Sequence, residues 1–251
     1  MSERDGYAPG VQCWVDTWQD DADAAAAFYT QLFGWEAARG EYTLFQKNGR
    51  DVAGLGAPSQ SRYPAWTTYV WVADADAAAA QARDAGGEVL KQPFDSLDGG
   101  RMAVLADPAG ALFAVWAPGE HRGARLVNEP SAWAMSLLSS PDPEAAKSFY
   151  GAVLDWTSDS FGDFTLFRLE GFVGGEPTQP VPRDVVAAMV PGENAGWTPD
   201  FWVSETDATA ARAEALGGTV IMPPTDSPVG RTAVVADPTG APFSISTVAR
   251  R

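Results

Sequence analysis

A chain of 251 residues is long enough for two domains of about 100 to 150 residues, each with its own core. With 45% apolar and 20% charged residues it is a folded globular chain, which excludes a disordered one. Thirty-three acidic against 17 basic residues give a net charge of -16, which argues against nucleic acid and anionic membrane surfaces as partners.

The first predicted element is a strand over Gln12 to Trp18, rich in β-branched and aromatic residues. Asp20 to Asp23 then opens an alanine-rich helix whose apolar face includes Ala24, Ala27, Phe28 and Leu32, and Gly34 stops it. Extended structure resumes at Trp35 and over Tyr42 to Phe45, and Gly49 to Gly56 is expected to hold a hairpin with a short strand. The pattern then restarts, with a strand over Trp66 to Val72, a helix over Asp74 to Ala85 and a stop at Gly86-Gly87. Val89 and Leu90 begin an edge segment that Pro93 interrupts, and Arg101 to Leu105 with Leu112 to Trp116 form a hairpin around Asp107-Pro-Ala-Gly110. Residues 118–130, containing the only histidine, His121, are expected to be a solvated linker. The order repeats in a strand over Ala132 to Leu138, a helix over Pro143 to Leu154 and a strand over Phe164 to Phe167. Trp197 to Val203, a helix over Asp207 to Leu216 and a stop at Gly217-Gly218 follow. Between Gly171 and Gly196 lies a Pro/Gly-rich stretch of no clear period, a surface loop or a cover for a pocket.

The chain is an internal duplication. Arg101 to Phe113 and Arg231 to Phe243 are identical at nine of thirteen sites, and Asp21 to Tyr29 answers Asp142 to Tyr150, each followed six residues on by Trp35 or Trp156. The boundaries are therefore residues 1–117, a linker over 118–130 and residues 131–251. Each half is itself two units of strand, helix and further strands. Four such units each expose an apolar sheet face unless the sheets curl, so the expected class is α+β, with four βαβββ units forming two cupped mixed-sheet domains and the helices outside.

The ordered recurrence of Phe28-Tyr29 with Gly34-Trp35, Phe149-Tyr150 with Asp155-Trp156, and the turns Asp107-Pro-Ala-Gly110 and Asp237-Pro-Thr-Gly240 resembles the vicinal oxygen chelate superfamily. That group takes in glyoxalase, bleomycin-resistance proteins and extradiol dioxygenases, and the likeness is to tandem two-domain actinobacterial members. The resemblance implies a divalent metal held by His, Glu or Gln on a first strand and by His or Glu in a final strand. Counting along the motifs puts the first-strand positions at Trp14 and Met135 and the final-strand positions at Ala114 and Ser244. The middle position falls near Thr67 or Thr68 and Thr198 or Pro199. A slip of two residues would bring Gln12 or Asp16 to the first-strand site, or Trp133 or Leu137 in the second half. A hard or borderline cation needs imidazole, carboxylate or carbonyl donors, which these sites mostly lack, so neither metal nor cofactor is expected.

Strand alternation puts Gln12, Trp14, Asp16 and Trp18 on one face, a floor for an aromatic or cationic ligand or simply a filled cup. Asp16 weighs against the filled cup, because a carboxylate buried without a partner is costly. Trp66, Thr68, Trp133, Met135 and Trp202 extend the candidate ligand surface, with core packing as the alternative for the tryptophans. Arg101 and Arg231 either bind an anionic group or pair with helix carboxylates. Cys13, alone, excludes an intrachain disulfide and sits in an apolar run as an inert thiol. With no signal-like apolar segment after Met1, a cytoplasmic monomer or homodimer is expected.

The expected function is metal-independent binding or sequestration of a small aromatic or amphipathic molecule. The alternatives are a cofactor-independent enzyme of hydroxylase- or lyase-labelled type with Asp16 as general base, and a structural or regulatory partner protein.

Overall fold

The computed structural model describes residues 2–57, 65–96, 100–174, 182–227 and 230–248. The first half runs β1 (Gln12–Trp18), α1 (Ala22–Phe33), β2 (Glu36–Ala38), β3 (Tyr42–Lys47), β4 (Arg50–Gly56), β5 (Trp66–Trp71), α2 (Ala75–Asp84), β6 (Glu88–Asp95), β7 (Arg101–Ala106) and β8 (Leu112–Ala117). The second runs β9 (Ala132–Ser140), α3 (Pro143–Leu154), β10 (Thr157–Phe161), β11 (Phe164–Arg168) and β12 (Val185–Pro191). It closes with β13 (Gly196–Trp202), α4 (Thr206–Ala215), β14 (Thr219–Ser227), β15 (Gly230–Ala236) and β16 (Pro242–Val248). Each half makes one eight-stranded mixed sheet, in the orders β2-β3-β4-β1-β5-β8-β7-β6 and β10-β11-β12-β9-β13-β16-β15-β14. This is the α+β class of four βαβββ units.

Local chemistry sets the helix ends. Asp21 and Asp142 accept the backbone N–H of Ala24 and Ala145, and left-handed Gly34 (φ 73°) and Asp155 (φ 58°) terminate α1 and α3. The stretch between Gly171 and Gly196 differs from the loop expected. It contains β12, which runs parallel to β9 in the sheet interior, while residues 175–181 lie outside the described residues. β12 has no alternation because both its faces are covered, and Val185 to Met189 are all buried.

The two halves meet through the helix-bearing faces of their sheets, where α1 packs on α4 and α2 on α3. The cores consequently cross the halves. One joins α1 and β1 to Phe201 and Phe243, and the other joins α2 and Phe113 to Phe149 and Trp156. Alanine-rich helices fill little volume, so rings from the opposite half occupy the remainder. Phe33 lies 5.1 Å from Phe201, and Trp66 lies 5.2 Å from the same ring.

The repeated motifs do their work at this seam. The Tyr29 hydroxyl donates to Asp237 Oδ2 at 2.8 Å and the Tyr150 hydroxyl to Asp107 Oδ2 at 3.2 Å, so each Phe-Tyr helix locks the other half's Asp-Pro-x-Gly turn. Trp35 Nε1 donates to the Ser131 carbonyl, and Trp156 Nε1 to the Gly10 carbonyl. Residues 118–130 are not a free linker either. Ala124, Leu126 and Val127 are buried, and Ala124 N–H donates to the Cys13 carbonyl.

Candidate functional site

The helix-free faces of the two sheets form the cups. In the first, the β1–β5 register steps from Gln12↔Val70 to Trp14↔Tyr69, leaving Cys13 as a bulge. The extra residue reverses Gln12. Trp14, Asp16 and Trp18 face the cup with Tyr69, whereas Gln12 turns to the seam and pairs both amide atoms with the Ser136 backbone. The expectation that these four β1 residues share a face fails at Gln12 for that reason.

Asp16 is the centre of the first cup. Its Oδ2 accepts from the Tyr69 hydroxyl at 2.8 Å, the Tyr42 hydroxyl at 2.9 Å and Trp18 Nε1 at 3.2 Å. Its Oδ1 is buried and accepts no hydrogen bond at close distance among the described residues, although Thr67, opposite on β5, also draws the carboxyl down. Burial pushes the carboxyl up to about 6 against the downward pull of those donors, so the group changes charge near neutral pH. Burial and the adjacent carboxylate drive Tyr42 and Tyr69 far above the usual phenol range, which keeps both as neutral donors. Tyr42 also accepts from Trp14 Nε1 at 3.0 Å.

Two glycines on β4 make room for this cluster. A Cβ on Gly54 would stand 1.8 Å from the Tyr42 hydroxyl oxygen, and one on Gly56 would stand 2.5 Å from the Trp18 ring. Gly54→Ala is therefore expected to expel Tyr42 from Asp16 and cost about 1–3 kcal/mol. Urea denaturation checks it; an unchanged midpoint would show that Tyr42 does not depend on the missing side chain. His121, expected in solvent, stands edge-on to Trp14 with ring centroids 4.5 Å apart, because the segment carrying it is drawn back over the first sheet.

The second cup is built differently. In register across three strands, Asp200 lies beside Met135 on β9 and Ser244 on β16. Asp200 Oδ1 accepts from the Ser246 hydroxyl at 2.6 Å, and Ser246 in turn pairs with Thr232. Burial raises the Asp200 carboxyl to about 6, opposed only by Ser246. Met135 and Leu137 form an apolar wall with Leu166, Val185 and Ala188. Trp202, half-buried, follows Asp200 by two residues on the same strand face.

The remaining candidates lie elsewhere. Thr68 donates to Ser136 Oγ across the seam, Trp66 Nε1 donates to Tyr29, and buried Trp133 packs in the seam core opposite Phe201. Gln12, Trp133 and Met135 also line a seam groove of about 280 Å³ with Tyr7 and Phe172. Arg101 holds Asp76 of α2 and Asp95, and Arg231 holds Asp207 of α4 and Asp226, so neither guanidinium is turned to a cup. These pairs hold Asp76 and Asp207 below the usual carboxylate range. Asp200, Tyr42 and Tyr69 are functional candidates that strand alternation alone does not single out. Asp200 carried a signal, a lone acidic residue inside the strand pattern Trp197-Thr-Pro-Asp-Phe-Trp202.

The strand registers also test the metal positions. They align Trp14, Tyr69 and Ala114 in the first cup and Met135, Asp200 and Ser244 in the second, moving the middle position from the threonines to Tyr69 and Asp200. Indole, phenol and methyl, or thioether, one carboxylate and a hydroxyl, do not fit a hard divalent ion. Among the described residues no group of three or more His, Cys, Asp or Glu could hold a metal. Among them, too, no helix is long and apolar enough to cross a membrane.

Residues 14–115 match the Glyoxalase/Bleomycin resistance protein/Dioxygenase superfamily, and residues 135–246 match a glyoxalase-like domain. The putative glyoxylase CFP32 of Mycobacterium tuberculosis is 38% identical, with 98% of this chain and 97% of that protein covered. The anthracycline biosynthesis protein DnrV of Streptomyces peucetius is 37% identical, with 95% and 94% covered. A Mn(II)-bound glyoxalase from Novosphingobium aromaticivorans superposes with a TM-score of 0.65 at 17% identity, covering 95% of this chain and 82% of that one. A homoprotocatechuate 2,3-dioxygenase variant from Brevibacterium fuscum gives 0.65 at 15%, covering 99% and 74%. At these identities the two structures speak to the fold alone.

Proposed function

Because the chain belongs to the glyoxalase/bleomycin resistance protein/dioxygenase superfamily, we propose that it binds a small aromatic or amphipathic organic molecule in its cups without a metal ion. The observation that carries this reading is the state of the three aligned positions. Where an ion would need several hard donors, the cups offer rings, a thioether and hydroxyls around one buried carboxylate each. Such walls suit the face and edge of an aromatic compound. The name of the Streptomyces relative, an anthracycline biosynthesis protein, is compatible with an aromatic ligand. A strongly acidic composition and a single cysteine accord with a cytoplasmic protein that does not bind nucleic acid.

Native mass spectrometry of the full chain, before and after EDTA, tests the reading. The expected result is a bound organic mass that survives chelation. A stoichiometric divalent metal whose removal releases the ligand would overturn it.

One observation favours a catalytic version of the same site. Asp16 Oδ1 accepts no close hydrogen bond among the described residues while burial raises the carboxyl to about 6, the condition a general base needs near neutrality. If the bound compound is turned over, Asp16→Asn is expected to lower the rate by about 10²-fold or more while binding persists. Undiminished turnover in that variant would leave carriage as the function.

A further inference from the structure

We propose that the second cup recognises a protonated amine on its ligand, with Asp200 as the counter-charge and Trp202 beside the cation. The inference rests on the reading of the cups as small-molecule sites and adds the ligand's charge to it.

Asp200 is 6% exposed, and only one of its oxygens is used: Ser246 donates to Oδ1, and Oδ2 takes no hydrogen bond among the described residues. The contrast with the first cup is informative. There, two phenols and an indole already converge on the carboxylate, so its charge is dispersed within the protein. Among the described residues the cup-facing neighbours of Asp200 in the strand register are Met135, Leu137, Ser244, Ser246 and Thr232, none of them cationic. Arg231, adjacent on β15, alternates to the opposite face and is held by Asp207 and Asp226.

A carboxylate this buried, with one oxygen unmet, is costly when ionised, and an ammonium N–H donor repairs both the charge and the missing hydrogen bond. Burial itself pushes the carboxyl up, with only the Ser246 hydroxyl pulling it down. An uncharged hydroxyl repairs only the hydrogen bond, and a carboxylate ligand adds repulsion. The half-buried Trp202 ring offers a cation–π face, while Met135 and Leu137 suit the hydrocarbon part.

Calorimetric titration of the full chain at pH 8 and low salt tests this with three probes of one skeleton: 2-(2-naphthyl)ethylammonium, 2-(2-naphthyl)ethanol and 3-(2-naphthyl)propionate. The ammonium is expected to bind at least about tenfold tighter than the alcohol, and the propionate weakest. Asp200→Asn is expected to erase the preference and Asp84→Asn, an equal change of charge at an exposed position of α2, to keep it. Equal binding of ammonium and alcohol, or a preference that survives Asp200→Asn, would overturn the ammonium assignment and leave the cup reading standing. Failure of all three probes to bind would overturn both.

Discussion

Asp237→Ala is expected to lower the stability of the whole molecule by about 3–5 kcal/mol, the scale for removing one member of a buried charged network. The Asp237 carboxylate is 2% exposed and is the acceptor for five donors. Gln19 Nε2 and the Tyr29 hydroxyl reach Oδ2 from the first half at 2.9 and 2.8 Å. The Thr239 and Ala241 N–H groups and the Thr239 hydroxyl hold Oδ1. Alanine strands the buried Tyr29 hydroxyl and Ala241 N–H, while Gln19 and the Thr239 hydroxyl keep only their bonds to Thr17 and to each other. The equivalent Asp107 has a looser contact, 3.2 Å from the Tyr150 hydroxyl, with the Ala109 and Ala111 N–H groups on Oδ1, so Asp107→Ala is expected to cost less. Urea denaturation of the two variants measures both. A loss under about 1 kcal/mol for Asp237→Ala, or the reverse ranking, would show that the seam does not depend on this acceptor.

The second large effect is a stability that falls as pH rises from about 4 to about 6. Asp16 and Asp200 have folded-state values near 6 against 3.8 for the free group, so between those limits the folded chain binds more protons than the unfolded one. Stability then declines with rising pH through that window and levels off above it. Raising each carboxyl from 3.8 to about 6 corresponds to about 3 kcal/mol. The self-repulsion of a chain with net charge -16 at pH 7 acts in the same direction. The urea midpoint is therefore expected to be higher at pH 5.5 than at pH 8. Asp16→Asn and Asp200→Asn should each raise it at pH 8 and flatten the dependence. A midpoint that climbs from pH 5.5 to pH 8, or variants that keep the wild-type slope, would contradict the buried-carboxylate account.

The fold was legible because its signals are local and occur twice. The Asp caps, the glycine stops at 86–87 and 217–218 and the Asp-Pro-x-Gly turns each carry their own geometry, and the 130-residue repeat reinforced them. The site was legible only where strand alternation held. Strand alternation groups Asp16, Trp14 and Trp18 because β1 is regular from Trp14 onward, and it fails at Gln12 because nothing in Gln-Cys-Trp announces a bulge. Trp66, Thr68 and Trp133 lie on the right strands but on the face turned to the other half. Whether a strand face meets helices or solvent is settled by packing between residues far apart in the chain, which periodicity does not encode. Tyr42 joins Asp16 for an equally distant reason, the missing side chain of Gly54 on the neighbouring strand.

The Tyr29–Asp237 and Tyr150–Asp107 contacts are one contact made twice, in opposite directions. An ancestor of half this length would have satisfied both by clasping a second copy of itself, so the present chain amounts to a homodimer whose subunits have been tethered. Tethering removes the dependence of assembly on concentration, and it frees each hollow from being a replica of the other. The acid stands on β1 in one hollow and on β13 in the other: the join is the same on both sides while the two interiors differ in chemistry.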